Sequence, residues 1–310
     1  MISRRSIRIK VLQAIYSQLL LNDTNTEEAK NVYDRSIQDV VEINLIFLNY
    51  FYLTFKYVEE YSVQQSQMYL LTDEEKNINT SLLGADLYLY LQNNAQFHKL
   101  LKKYKLEQYI QTEYVKRMFI ELLKTQEYKE FILSRKIQTE YNLYNVFFKK
   151  ILFSNEDLLD YIESYYANIE EDADLVHFTL KRSIKAIIES RPLEISYGLE
   201  ETKELKNFAY DLIKVTLEQH LEYMQIIKPK LKGWEAERIP ILDMTIIKMA
   251  MSEMIHFATI PLKVTVNEYI DLTKLFCSVK SKDFVNGIMD RIMRDLQSQG
   301  KILKTGRGLD

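Results

Sequence analysis

The sequence predicts an all-α protein, and three observations lead to this class. The chain of 310 residues contains only 7 glycines and 4 prolines. Residues 1–191 contain no proline and a single glycine, Gly84, whereas β-sandwiches and β-barrels need frequent turns built from these residues. Apolar residues recur instead at helical spacing along most of the chain. The composition also excludes collagen-like, low-complexity and disulfide-scaffold proteins.

The first predicted helix has an apolar side formed by Ile7, Val11, Ala14, Ile15 and Leu19. This spacing places the five side chains along one face of an amphipathic helix. Turn-forming residues at 22–25 end it. The other predicted helices cover approximately 34–61, 81–103, 107–134, 139–153, 156–167, 172–190, 203–227, 240–257, 265–276 and 283–296.

Four residues are predicted to be N-caps of these helices: Ser81, Ser154, Thr265 and Ser281. Serine and threonine suit this position because their hydroxyl oxygen accepts a hydrogen bond from the first turn. Thr265 is followed three residues later by Glu268, which predicts a capping box.

Charge and cysteine content narrow the class further. The net charge is −3, so no overall basic field indicates nucleic-acid binding. Cys277 is the only cysteine, which excludes an intramolecular disulfide and favours a reducing compartment. The longest uncharged apolar stretch, at 43–55, is shorter than the roughly 18 residues of a membrane span. We therefore expect a cytoplasmic protein without a membrane segment.

The start of the chain is locally basic. Arg4, Arg5, Arg8 and Lys10 precede the first acidic residue, Asp23. A targeting peptide is disfavoured because polar residues interrupt its apolar part and no small-residue cleavage site follows. We expect this segment to work in the mature protein.

Five segments carry a resemblance to a known family. Near the C-terminus they read FVNG at 284–287, VTVNEYIDLTK at 264–274, WEAERIPILD at 234–243, and IKMAMSE at 247–253. Near the N-terminus, RRSIR at 4–8 leads to LQAIYS at 12–17. In order and spacing they resemble the transcription antitermination factor NusB family.

The resemblance covers residues 1–20 and 206–297 and implies a domain organisation. A NusB-like helical bundle is expected from residues 1–21 plus 206–297. Residues 22–205 resemble nothing in the family, so we predict a large helical insertion after the first helix. Residues 298–310 contain three glycines and several basic residues, and we predict a flexible basic tail.

The resemblance also implies a function without catalysis. NusB proteins pair with NusE, a small-subunit ribosomal protein. The pair binds the single-stranded boxA element of ribosomal RNA leader transcripts within the RNA polymerase antitermination complex. The resemblance therefore implies an RNA-binding antitermination factor.

Candidate RNA-binding residues combine cations with groups that can engage bases. The family usually has an acidic loop before Ser281, where this chain reads CSVK at 277–280 and is followed by Lys282. The predicted RNA-binding residues are Arg4, Arg5, Arg8, Lys10, Lys280, Lys282, Phe284 and Asn286. The predicted partner-binding residues are Tyr16, Glu253 and Phe284; Tyr16 and Phe284 could equally be core residues.

An enzyme is the first alternative. Glu253 and His256 have the E-x-x-H spacing of di-iron bundles, but such a site needs a second copy and two further glutamates. Asp174 and His177 do not supply it. Cys277 has no histidine near it in sequence and is predicted to be an inert thiol. We expect no catalytic residue, metal or cofactor.

A helical protein–protein interaction scaffold without RNA specificity is the second alternative. Residues 22–205 contain 18 tyrosines and 10 phenylalanines, most of which are expected in the core or half-buried. An exposed subset could form a homodimer face, a wider RNA platform or a docking site. The sequence leaves these possibilities open.

Overall fold

The computed structural model describes residues 3–66, 80–188, 203–231 and 238–309. Regular structure within these ranges is helical throughout, which confirms the all-α prediction. The α-helices are α1 Arg4–Leu20, α2 Thr26–Lys56, α3 Val58–Ser66, α4 Asp86–Asn93, α5 Ala95–Lys103, α6 Thr112–Lys124, α7 Gln126–Leu133, α8 Ile137–Val146, α9 Glu156–Glu163, α10 Ile169–Ile188, α11 Lys203–Glu218, α12 His220–Ile227, α13 Ile241–His256, α14 Leu262–Phe276 and α15 Val279–Ser298.

The chain forms two compact units. The central unit is Gln38–Glu200, and the terminal unit combines Ile2–Ile37 with Glu201–Asp310. The boundary at residue 37 falls inside α2, so the central unit starts later than the insertion predicted at 22.

The first turns of α2 belong to the terminal unit because they pack on α11. The Tyr33 and Tyr210 rings meet edge to face at 6.2 Å. Asp34 accepts a 2.6 Å hydrogen bond from the Tyr210 hydroxyl and pairs with Lys206 at 3.0 Å. Tyr33 is fully buried. These contacts hold the start of α2 against the start of α11.

The core of the central unit is aromatic. Phe51 lies 4.1 Å from Phe55 and 5.2–5.5 Å from Tyr144, Phe147 and Phe148, measured between ring centroids. Edge-to-face and offset pairs of this kind add to the stabilisation that burial provides. The expectation that most aromatic residues of this segment are core residues is confirmed.

Exposed aromatic side chains are few in the described part of the central unit. Tyr165 and Phe178 are the large aromatic residues with more than half of their surface exposed. The described residues therefore present no broad aromatic platform for RNA or for a dimer.

Several predicted long helices are in fact broken by local caps. The side chain of Asn94 accepts a 2.9 Å hydrogen bond from the Phe97 amide and starts α5. Thr125 starts α7 in the same way, and Asn155, not the predicted Ser154, caps α9. Ser81 lies in a short 3₁₀ turn and caps no α-helix. The apolar spacing continues across these caps, so periodicity alone did not reveal them.

The terminal unit is built around α13. Twelve of its sixteen residues are buried, and α1, α11, α14 and α15 pack around it. Val285 and Ile288 of α15 are buried. A helix that is buried on all sides must find partners for each polar group that it carries.

Two predicted caps in the terminal unit are wrong. Helix α14 begins at Leu262 after Pro261, so Thr265 lies inside its first turn. Ser278, not Ser281, caps α15, and its hydroxyl accepts from the Ser281 amide.

The predicted tail is bonded to the bundle at Lys304 and Thr305. The Thr305 amide donates to the Ala258 carbonyl at 3.0 Å. Lys304 donates to the carbonyls of Glu253 at 3.3 Å and Phe257 at 3.0 Å. These bonds satisfy carbonyls at the end of α13, where a cation is electrostatically favoured. Flexibility of the rest of this segment stays a prediction.

Candidate nucleic-acid interface

The most buried ion pair of the terminal unit joins α1 to α13. The Arg8 guanidinium donates from Nε and Nη2 to the two carboxylate oxygens of Glu253 at 2.7 and 2.8 Å. Arg8 is 2% exposed and Glu253 is 0% exposed. Burial opposes the charge of Arg8, but its bonds to Glu253 outweigh burial and raise the pKa of Arg8 above its ordinary value.

Helix α14 completes this cluster. Thr265 donates to Glu253 Oε1 at 2.8 Å, and the Tyr269 hydroxyl donates to Oε2 at 3.3 Å. Burial, together with the charge of Glu253, raises the pKa of Tyr269 well above its ordinary value. We define the Arg8 cluster as Arg8, Glu253, Thr265 and Tyr269; it connects three helices through fully buried hydrogen bonds.

Burial corrects three of the predicted site residues. Arg8 is paired with Glu253, and both Arg8 and Lys10 are buried. Their burial contradicts the expectation that they contact phosphate at the surface. Glu253 is equally inaccessible, which contradicts the expectation that it faces a partner protein.

The E-x-x-H motif also has another explanation. Both carboxylate oxygens of Glu253 are taken by Arg8, and His256 Nε2 lies 3.2 Å from Gln219 Oε1. Among the residues that the structure describes, no group of three or more His, Cys, Asp and Glu could hold a metal ion.

Arg4 and Arg5 remain accessible at the start of α1. Arg4 pairs with Glu204 at 2.9 Å. Arg5 pairs with Glu268 at 3.1 Å and with Asp271 at 2.7 Å, and its hydrogen bond to Glu268 raises the pKa of Arg5. Side chains in these pairs remain partly exposed, so the pairs are weak and a phosphate can compete for the guanidinium groups.

The start of α15 presents a second accessible group of polar residues. Lys280, Lys282 and Asn286 are exposed, whereas Phe284 is half-buried. Lys280 and Lys282 make no ion pair with any residue in the described ranges. They lie in the first turn of a long helix, whose partial positive charge attracts phosphate.

Lys274 connects these two groups, and sequence reasoning missed it. It pairs with Asp271 at 2.7 Å, and this bond lowers the pKa of the Asp271 carboxyl. Asp271 also binds Arg5, and Lys274 lies near the end of α14, four residues before Ser278, the cap of α15. The i, i+3 spacing of Asp271 and Lys274 is the feature of the sequence that could have identified Lys274 as a site residue.

We name this surface the basic edge. It lies along the starts of α1 and α15 and the end of α14. Its cations are Arg4, Arg5, Lys274, Lys280 and Lys282.

Tyr16 and Cys277 do not join the basic edge as functional groups. Tyr16 is half-buried and lies eleven residues beyond Arg5, about 16 Å along α1. Partner binding by Tyr16 stays a prediction. Burial, and then a hydrogen bond to Asp243, raise the pKa of the Cys277 thiol. A thiol that stays protonated is a poor nucleophile, which fits the expectation of an inert cysteine.

No α-helix in the described ranges is long and apolar enough to cross a membrane. The fold and the basic edge together define an all-helical protein with a cationic surface at helix starts.

Comparisons with known proteins identify the family. A family model described as "NusB family" matches residues 165–294. The transcription antitermination protein NusB of Salinibacter ruber is 33% identical over 148 residues, which cover 48% of this chain and 85% of that protein. NusB of Chloroherpeton thalassium is 33% identical over 104 residues, covering 34% of this chain and 49% of that protein. NusB of Oleidesulfovibrio alaskensis is 37% identical over 91 residues, 29% of this chain and 59% of that protein. No solved structure matches this chain.

The chain belongs to the NusB family. The matched range begins at residue 165, about forty residues earlier than the resemblance in the sequence indicated. It therefore includes α10 and part of the central unit, which we had assigned wholly to an insertion.

Proposed function

We propose that this protein is a transcription antitermination factor that binds boxA-type single-stranded RNA of ribosomal RNA leader transcripts together with NusE. The observation that carries the proposal is the similarity to antitermination proteins over 85% of the Salinibacter relative. The basic edge supports it physically. We further propose that the protein acts in the cytoplasm, within the RNA polymerase antitermination complex, and without a catalytic step.

The basic edge has the two kinds of groups that single-stranded RNA needs. Its cations are accessible, and cationic side chains of this kind can contact the phosphates of an RNA backbone. Asn286 is exposed on the same helix as Lys282, where its amide can bond to a base edge, whereas base stacking by the half-buried Phe284 stays a prediction. Asn286 is one turn from Lys282, so both can contact the same short segment of RNA.

The proposal is tested by titrating a short boxA-type RNA into the full chain, with and without NusE. Binding by the complex that exceeds binding of a scrambled RNA of equal length supports the proposal. Equal binding of both RNAs, or none, would leave the protein–protein scaffold as the better explanation.

Replacing Lys280 and Lys282 by Ala is expected to flatten the dependence of RNA affinity on salt. Each phosphate contact on a single strand contributes about −0.7 to the slope of log K against log salt, so loss of two changes the slope by about 1.4. Fluorescence anisotropy at several salt concentrations measures this slope. As a control, Lys214→Ala with Lys301→Ala removes two exposed lysines elsewhere and should leave it unchanged.

Replacing Arg4 and Arg5 by Ala tests the other end of the basic edge. Four N-terminal cations would together contribute about −2.8 to the slope. Because Arg8 and Lys10 are buried, we expect only about half of that change from Arg4 and Arg5. A slope that stays unchanged would indicate that the RNA site does not include α1.

A further inference from the structure

The terminal unit contains a cavity that the proposed function does not use. Its volume is about 620 Å³, which is within the usual range of small-molecule sites. It opens between the end of α1, the α11–α12 turn and the first half of α13. Its walls are mostly apolar, with Leu19, Leu217 and Met244 among them, and its polar lining includes Glu218, His220 and Lys248.

Lys248 is the unusual residue of this cavity. It lies in the middle of α13 and is 3% exposed. Its Nζ lies 3.0 Å from Nδ1 of His220, and no carboxylate in the described ranges forms an ion pair with it. Burial lowers the pKa of Lys248 to about 8, and burial together with Lys248 lowers the pKa of His220.

Other buried polar groups of α13 have partners on neighbouring helices. Glu253 has Arg8, and the Ser252 hydroxyl accepts a 2.8 Å hydrogen bond from Thr216. Lys248 alone of these three has a charge without an opposite charge beside it. An ammonium group buried without a counter-ion is unfavourable, so a bound anion would satisfy a group that the described residues leave uncompensated.

We propose that this cavity binds a small molecule that carries one carboxylate on an apolar body, with Lys248 as the counter-charge. An ammonium has three donors; His220 takes one, and two remain for the carboxylate oxygens. The apolar walls accept the body of the ligand.

The charges around the cavity select a single negative charge. Among the described residues that line it, Lys248 is the one lysine or arginine, and the exposed Glu218 is also part of the lining. A phosphate monoester carries about −1.5 to −2 charges at neutral pH, which would leave uncompensated charge beside Glu218. A monocarboxylate matches one ammonium.

The test compares octanoate with 1-octanol by isothermal titration calorimetry on the full chain. The two ligands share the apolar body, so the expected preference for octanoate, at least about tenfold, measures the bond to Lys248. Equal binding of both, or no binding of octanoate, would overturn the proposal.

A short apolar peptide with a free C-terminal carboxylate is the ligand in a second arm of the experiment. Binding of that peptide in place of octanoate would also overturn the proposal, because the ligand would then be the C-terminus of a protein.

The variant Lys248→Met should lose the preference for octanoate while it still binds 1-octanol. Methionine keeps the length and apolar character of the side chain without its charge. Lys214→Met, at an exposed position of α11, is the matched control and should bind like the unchanged chain. A preference that survives in Lys248→Met would overturn the proposal.

A second readout does not depend on the folding of that variant. Lysines of the unchanged chain can be labelled by reductive ¹³C-methylation and titrated by NMR. Octanoate should raise the pKa of the Lys248 signal, because a bound anion favours the charged ammonium. A Lys248 signal that titrates identically with and without octanoate would contradict the proposed contact.

Discussion

Replacing Arg8 by Met is expected to lower the free energy of unfolding by about 3–5 kcal/mol, the usual cost of removing one partner from a buried ion pair. The variant leaves the Glu253 carboxylate fully buried without its guanidinium. Thr265 and Tyr269 still donate to it, but neutral donors do not replace the lost charge. Urea unfolding followed by circular dichroism measures the change.

Arg4→Met is the matched control for this prediction. Arg4 is on the same helix one turn earlier, and its pair with Glu204 is largely exposed. Such pairs contribute about 0–1 kcal/mol. If Arg8→Met is no more destabilising than Arg4→Met, the Arg8 cluster does not have the structural role that its burial indicates.

The double variant Arg8→Met with Glu253→Leu separates charge from packing. Removing both charges avoids the isolated carboxylate, so the loss should be smaller than the sum of the two single losses. Some loss should remain, because the hydroxyls of Thr265 and Tyr269 then lack their acceptor. Additive losses would show that Arg8 and Glu253 do not act as a pair.

The sequence predicted the helical class and much of the core because apolar spacing reports directly on helix faces. The five apolar residues of the first helix are all buried, and so are Val285 and Ile288. The break at Asn94 was missed because the hydrogen bond that stops and restarts the helix involves a single side chain. Such a cap does not disturb the apolar pattern around it.

The sequence predicted the site residues less well, because it does not show whether a cationic side chain is solvated or paired with an acidic residue. Arg8 belongs to a basic run, and the acid that pairs with it lies 245 residues away. One signal was available: Arg8 precedes Leu12 by four residues, so it lies on the buried side of α1. The Thr265–Glu268 capping box was wrongly predicted for a similar reason, since tertiary partners take both side chains.

The second large effect concerns the boundary between the two units. We expect that replacing residues 38–200 by a short Gly/Ser linker leaves a terminal unit that folds cooperatively. Residues 26–37 stay in this variant, with the contacts of Tyr33 and Asp34 to α11. Because those contacts hold the start of α2 beside the start of α11, a short linker can join the two ends.

Deleting residues 22–205, the insertion as the sequence alone defined it, is expected to have a different result. This variant loses Ala29 and Tyr33, both fully buried, and the start of α11 up to Leu205. Removal of one large aromatic core side chain costs about 3–5 kcal/mol, a large fraction of the stability of a domain. Circular dichroism and urea unfolding should show a cooperative transition for the linker variant at 38–200, and a weak or absent one for the deletion of 22–205. If both variants unfold alike, the first turns of α2 do not belong to the terminal unit.

If the linker variant also retains the salt-dependent binding of boxA-type RNA, the basic edge functions without the central unit, since all of its cations lie in the terminal unit.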